Sequence, residues 1–168
     1  MSKDMMDKPG FWGTEHMFLK HYPPKENKGI ISTSVGFING VTDITDASKT
    51  TKGAGSVEAC RVVFDPSIVS YAELVEFFYR FHDPTMLNHQ GNDKGKEYRS
   101  VIITSSDEQA QIARKVTAEV QAKHFDLKSQ KLVTRIETAG SWKESPAKDQ
   151  QYLQRNPNGY HSSHTTTA

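Results

Sequence analysis

The feature that most constrains this chain is the order in which its two hydrophobic periods alternate. "VEACRVVFD" is β-branched and strand-like, and it is followed by "SIVSYAELVEFFYRFH", where Leu74, Phe77, Phe78 and Phe81 recur at helical spacing. The order repeats: "SVIITS" reads as a strand, "SDEQAQIARKVTAEVQAKHF" as a long helix, and "KLVTRIETAG" as a further strand. An amphipathic helix must lay its apolar stripe on another element, so this alternation predicts a two-layer α+β or α/β domain. "IISTSVGF", Ile30 to Phe37, adds a strand. Ser106 and Gln109 fit a capping box. "GTEHMFLKHY" reads as a short helix with Thr14 as N-cap and Glu15 in its first turn, and "SPAKDQQYLQRN" as another short helix.

Two long polar loops interrupt the pattern, "INGVTDITDASKTTKGAGS" and "DPTMLNHQGNDKGKEYRS". Loops of that length are usually kept for function. With 168 residues the chain suits one domain plus tails. The net charge of +1 leaves no footprint for nucleic acid or an anionic membrane. No apolar run approaches the ~18 residues of a membrane span. The polar start "MSKDMMDKPG" has no signal-peptide core, so a cytoplasmic location is expected. A single cysteine, Cys60, excludes an intramolecular disulfide, a cysteine-rich zinc site and a two-thiol relay within the chain. His82, His89, His161 and His164 have no metal-site spacing, and neither a metal nor a cofactor is expected.

The candidate site residues come from the loops and one strand. Phe11 and Trp12, between Gly10 and Gly13, suit the wall of an apolar or cationic subsite, or equally ordinary core aromatics. Strand alternation puts Glu58 on one face with Cys60, Val62 and Phe64. A carboxylate on an apolar face is costly to bury ionised, which suits a general acid; a solvated strand end is the alternative. Asp93, Tyr98 and Arg99 offer an acceptor and two donors, in a stretch that could also be merely solvated. Cys60 reads as a small core residue more readily than as a nucleophile.

Taken together, "GFWGTEHMF", "VGFING", "VEACRVVFDP", "FHDPT", "HQGNDKGKEYRS" and "DQQYLQRNPNGY" resemble the A-type peptide methionine sulfoxide reductase family, in order and from residue 10 onward. The resemblance implies an α+β fold: a two-layer mixed sheet with packed helices and a ferredoxin-like core. It also implies roles. In the family a cysteine precedes the Phe-Trp pair and attacks the sulfoxide sulfur. The pair holds the substrate methyl group. A strand glutamate protonates the sulfoxide oxygen, helped by two tyrosines and an aspartate, and a C-terminal cysteine or thioredoxin resolves the sulfenic acid. Phe11, Trp12, Glu58, Asp93, Tyr98 and Tyr152 match that pattern.

The departures matter as much. Gly10 stands where the nucleophilic cysteine is expected, Asp46 where the second tyrosine falls on a gapless alignment, and Asp149 where a histidine precedes "QQY". Pro146 replaces an acidic residue and His161 the C-terminal cysteine. The apolar strand leading into the turn is replaced by "MSKDMMDKP", so the first strand is expected to be missing or altered. The expected organisation is a polar segment 1–9, one domain over 10–160 and a polar tail 161–168. Because glycine has no side chain to attack sulfur, these departures favour a non-redox acid–base enzyme on a small metabolite, performing cyclisation, isomerisation, elimination or addition. On that expectation Glu58, Tyr98 and Asp46 are catalytic. Phe11, Trp12, Asp93, Gly10, Asp149 and Tyr152 bind the substrate. No thioredoxin, nucleic acid or membrane takes part. The alternatives are a non-catalytic binder of methionine sulfoxide or another small ligand, and an inactive or residual reductase.

Overall fold

The structure is a computed structural model and describes residues 11–39 and 57–159. Its elements run α1 (Phe11–His21), β1 (Ile30–Asn39), β2 (Val57–Phe64), α2 (Tyr71–Phe81), β3 (His89–Gln90), β4 (Asp93–Lys94), β5 (Val101–Thr104), α3 (Asp107–Val120), β6 (Arg135–Thr138), β7 (Ser141–Glu144) and α4 (Tyr152–Arg155). This is a mixed α+β fold. β1 lies between β2 and β7 in an antiparallel sheet, β5 and β6 form a parallel pair, and β3 and β4 form a small hairpin.

β1 and β2 pair along nearly their whole length, with Val35 opposite Cys60 and Phe37 opposite Glu58. The register slips between Ile30 and Ser32, which leaves Ile31 facing solvent while Ile30 is buried. Gly36 is needed where β7 joins: a Cβ there would run into the Lys143 carbonyl oxygen of the strand paired beside it.

Ser70 caps α2, its hydroxyl accepting from the Glu73 amide, and Ser106 caps α3 by accepting from the Gln109 amide. α1 is described from Phe11, so the expected cap at Thr14 lies inside the helix, and Phe11 and Trp12 are both buried. Glu15, expected in the first turn, lies further along the helix and is fully buried.

Among the described residues three clusters form the core. One joins α2 and α3 through Val75, Tyr79, Ala113 and Val116. A second joins α1, β1 and α2 through Phe18, Ile30, Leu74 and Phe81. A third sets Phe11, Trp12 and Val35 against Leu153.

The strand expected over "KLVTRIETAG" contracts to β6, because upstream amides are taken by other partners: Leu132 donates to Gln121 Oε1 and Val133 to the Pro84 carbonyl. Residue 151, with φ at 52°, restricts the C-terminal helix to four residues. β7 and the two-residue hairpin strands are too short for any period to reveal. Gly10, Asp46, His161, His164, the segment 1–9 with its altered first strand, and the tail 161–168 lie outside the described residues.

Candidate functional site

A cavity of about 460 Å³ opens between α1, β2 and the long polar loop. Phe11, Glu58, Cys60, Asp93, Tyr98 and Arg99 all line it. Phe11 enters from the first turn of α1, with its ring tilted 57° against Phe37 at a centroid distance of 5.8 Å. Glu58 and Cys60 come from β2, two residues apart on one strand. Both are half-buried.

The polar loop is held at several points. Gln90 and Asp83 exchange two hydrogen bonds: the Asp83 amide donates to Gln90 Oε1 at 3.1 Å, and Gln90 Nε2 donates to the Asp83 carbonyl at 2.6 Å. The Gly95 amide donates to the Asn88 carbonyl at 2.9 Å, closing the hairpin that carries Asp93. A single 3₁₀ turn over Lys96–Tyr98 follows Gly95, whose φ of 136° only glycine adopts readily. That turn brings Tyr98 to the cavity.

Three of the expected substrate-binding residues sit elsewhere. Trp12 and Tyr152 stack on each other with centroids 3.6 Å apart, and neither belongs to the cavity lining. Asp149 is buried and accepts from the Ser145 hydroxyl at 2.5 Å, tying the segment after β7 to itself, also away from the lining. So Phe11, Glu58, Asp93 and Tyr98 come together, while Trp12 and Tyr152 belong to the apolar cluster packed with Phe11 and Cys60, and Asp149 bonds to Ser145.

Three titratable groups in and around this arrangement have shifted pKa values. Desolvation pushes the Cys60 thiol well above its ordinary value, and the Glu15 carboxylate adds to the shift. Burial also raises Glu15, against the opposing hydrogen bonds from Thr33 and Gln151 and the charge of Arg155. Burial lowers His82 to about 4, with its hydrogen bond to the Phe78 carbonyl and the charge of Asp83 working the other way. Sequence reasoning missed the structural weight of Glu15 and His82, since a lone polar residue inside a helical pattern carries no burial signal. The strand face that Cys60 shares with Glu58 was legible in the sequence. Among the described residues no group of three His, Cys, Asp or Glu could hold a metal ion. Nor, among them, is any helix long and apolar enough to cross a membrane.

With an aromatic wall, a carboxyl group, a phenol and a thiol in one cavity, the site can grip a small polarised group, donate to its oxygen and offer electrons from sulfur. Known proteins match this chain closely. The family model described as peptide methionine sulfoxide reductase matches residues 5–168. A "probable peptide methionine sulfoxide reductase" of Schizosaccharomyces pombe is 44% identical over 91% of this chain and 88% of its own. Mxr1 from Saccharomyces cerevisiae, solved in reduced form, superposes with a TM-score of 0.75 at 32% identity, covering 92% of this chain and 84% of Mxr1. Mxr1 solved in complex with Trx2 matches with a TM-score of 0.59 at 26% identity, over 94% of this chain and 84% of that one.

These findings correct the sequence-based expectation in two respects. The non-redox acid–base enzyme, of isomerase, cyclase or lyase type, is overturned by relatives that carry the reductase name at this identity over nearly the whole chain. The expectation gave a few departures, Gly10, Asp46, Asp149, Pro146 and His161, more weight than the rest of the chain. The exclusion of thioredoxin is overturned by the complex of Mxr1 with Trx2, which shows that a protein of this fold partners with thioredoxin.

Proposed function

The chain belongs to the peptide methionine sulfoxide reductase family, and from that premise we propose that it reduces methionine sulfoxide in peptides, with Cys60 as the thiol that meets the sulfoxide. The observation that carries this reading is that Cys60, the one cysteine of the sequence, lines the same cavity as Phe11, Glu58 and Tyr98. Phe11 faces the substrate methyl group. Glu58 and Tyr98 donate to the sulfoxide oxygen as negative charge gathers on it. Asp93 completes the polar rim.

The chemistry balances with an external thiol. Cys60 Sγ forms a bond to the sulfoxide sulfur as Glu58 protonates the oxygen, and the thiol proton that Cys60 releases passes to the Glu58 carboxylate and restores it. The oxygen then leaves with Cys60 as a sulfenic acid while methionine departs as the thioether, so sulfur is oxidised on one side and reduced on the other by two electrons. A first external thiol attacks the sulfenic sulfur and releases water. A second releases Cys60 and leaves the external pair as a disulfide. A dithiol protein of the thioredoxin class supplies both thiols.

The test is incubation of a methionine sulfoxide peptide with the full chain and either dithiothreitol or a thioredoxin system. Methionine should form, and Cys60→Ser should abolish its formation. Sulfoxide bound without turnover, or unchanged turnover in Cys60→Ser, overturns the reading.

A further inference from the structure

We infer that the buried ion pair between Arg99 and Glu137 is the device that positions Tyr98 in the cavity, an inference whose functional consequence rests on the sulfoxide reading above. Arg99 Nη2 lies 3.2 Å from Glu137 Oε2, and the two side chains are only 9% and 3% exposed. The other end of the guanidinium, Nη1, donates to the Lys96 carbonyl at 2.7 Å. Lys96 opens the 3₁₀ turn that ends at Tyr98, and the Arg99 amide itself closes on the same carbonyl at 3.2 Å. One guanidinium therefore joins the turn bearing Tyr98 to the middle of β6, where Glu137 sits in register with Ile103 of β5.

The following residue is fixed as firmly. Ser100 Oγ lies 2.7 Å from His82 Nε2 and 2.7 Å from Thr134 Oγ1. Its carbonyl accepts from the Arg135 amide at 3.1 Å. Tyr98 is thus bracketed by the left-handed Gly95 on one side and by two buried anchors on the other.

Energetics argue that the pair serves geometry rather than stability. Removing two charges from water costs about as much as their attraction returns, so a buried pair adds little net stability. What an arginine adds is a planar fork that serves two acceptors in fixed directions, which a lysine cannot reproduce. Arg135 brings a second cation to the same carboxylate, its Nε 3.3 Å from Glu137 Oε1, with 61% of its side chain exposed. Arg99 lines the cavity beside Tyr98, so any shift of the pair is felt at the phenol. Arg99 and Glu137 are positioning residues: they act through Tyr98.

The experiment compares wild type, Glu137→Gln, Arg99→Lys, Tyr98→Phe and the Glu137→Gln/Tyr98→Phe double variant. Binding of N-acetyl-methionine sulfoxide methylamide is measured beside that of the matching thioether, which lacks the oxygen. Loss of one positioned hydrogen bond corresponds to about tenfold in affinity. Glu137→Gln and Tyr98→Phe should each show that loss for the sulfoxide alone, and the double variant should lose no more than either. In parallel, ¹⁹F spectra of the 3-fluorotyrosine-labelled chain, with the Tyr98 signal assigned by its disappearance in Tyr98→Phe, should show that signal moving in both Glu137→Gln and Arg99→Lys while the Tyr22 signal stays. An unmoved Tyr98 signal in both variants, or additive losses in the double variant, overturns the inference. If wild type binds both ligands equally, the sulfoxide reading fails, and the fluorine spectra alone decide whether the pair positions Tyr98.

Discussion

The Trp12 indole lies flat on the Tyr152 ring, with centroids 3.6 Å apart and planes 10° from parallel. The contact joins the first turn of α1 to the first residue of α4, elements separated by most of the chain. It fixes Trp12, and through the neighbouring residue it fixes Phe11 at the cavity. Stacked aromatic pairs contribute about 1 kcal/mol beyond the area they bury, and truncating a half-buried ring also leaves a gap. Tyr152→Ala should therefore cost about 2 kcal/mol in urea unfolding, and Tyr152→Phe well under 1 kcal/mol. In a Trp142→Phe background, Trp12 emission should shift to the red in the alanine variant only.

Glu15 makes a second tie between the same elements. Its carboxylate accepts from the Gln151 amide at 2.5 Å and from the Thr33 hydroxyl at 2.8 Å. Burial raises its pKa from an ordinary 4.5, so the folded state holds the proton more tightly than the unfolded one. For a raised carboxyl, the stabilising contribution is complete below the unfolded value and is lost as pH rises through the folded one. Glu15→Gln removes that loss but places an amide N–H where a second acceptor was used. Urea titrations should show the variant less stable near about pH 4 and the gap narrowing toward neutrality. A gap that widens with pH would contradict a raised Glu15.

His82 titrates with the opposite consequence. It is buried between the Phe78 carbonyl, 2.6 Å from Nδ1, and Ser100 Oγ, 2.7 Å from Nε2, and its pKa falls from 6.5 to about 4. A depressed histidine contributes stability that is complete above the unfolded value and disappears as pH falls toward the folded one. Between pH 6.5 and about 4 the chain should lose stability on the order of 3 kcal/mol from this group. His82→Gln, which keeps a donor and an acceptor but no titration, should flatten that slope in urea unfolding followed across the same range.

The sequence pattern made α2, α3, β1 and β2 legible because each has a long, uninterrupted apolar period and, for the helices, a serine cap. It did not reveal β7 or the β3–β4 hairpin, whose pairing depends on partners distant in the chain. Within the site, the residue types named Phe11, Glu58, Asp93 and Tyr98, and the cavity gathers all four. The stacking of Trp12 on Tyr152 was not legible, because aromatic character tells what a residue can do, whereas their contact is a tertiary fact. Arg99 was visible as a donor, but its partner Glu137 lies 38 residues away with no local pattern to link them.

The position before α1 offers the sharpest test of the chemistry. Cys60 carries a thiol pKa well above its ordinary 9.0, so at neutral pH almost all of it is protonated and a poor nucleophile. Sulfoxide reduction by the wild-type chain should accordingly be slow at pH 7 and climb steadily into the alkaline range. Gly10 directly precedes the cavity-lining Phe11 in the sequence, and an ordinary thiol titrates below one raised as Cys60 is. Gly10→Cys should raise the rate at pH 7 by at least about tenfold and move the rising limb of the pH profile toward neutrality. The gain should persist in Gly10→Cys/Cys60→Ser, where only the new thiol remains. Rates followed with a methionine sulfoxide peptide and dithiothreitol decide it: an inactive double variant would mean that a thiol at residue 10 does not reach the oxygen-holding groups Glu58 and Tyr98.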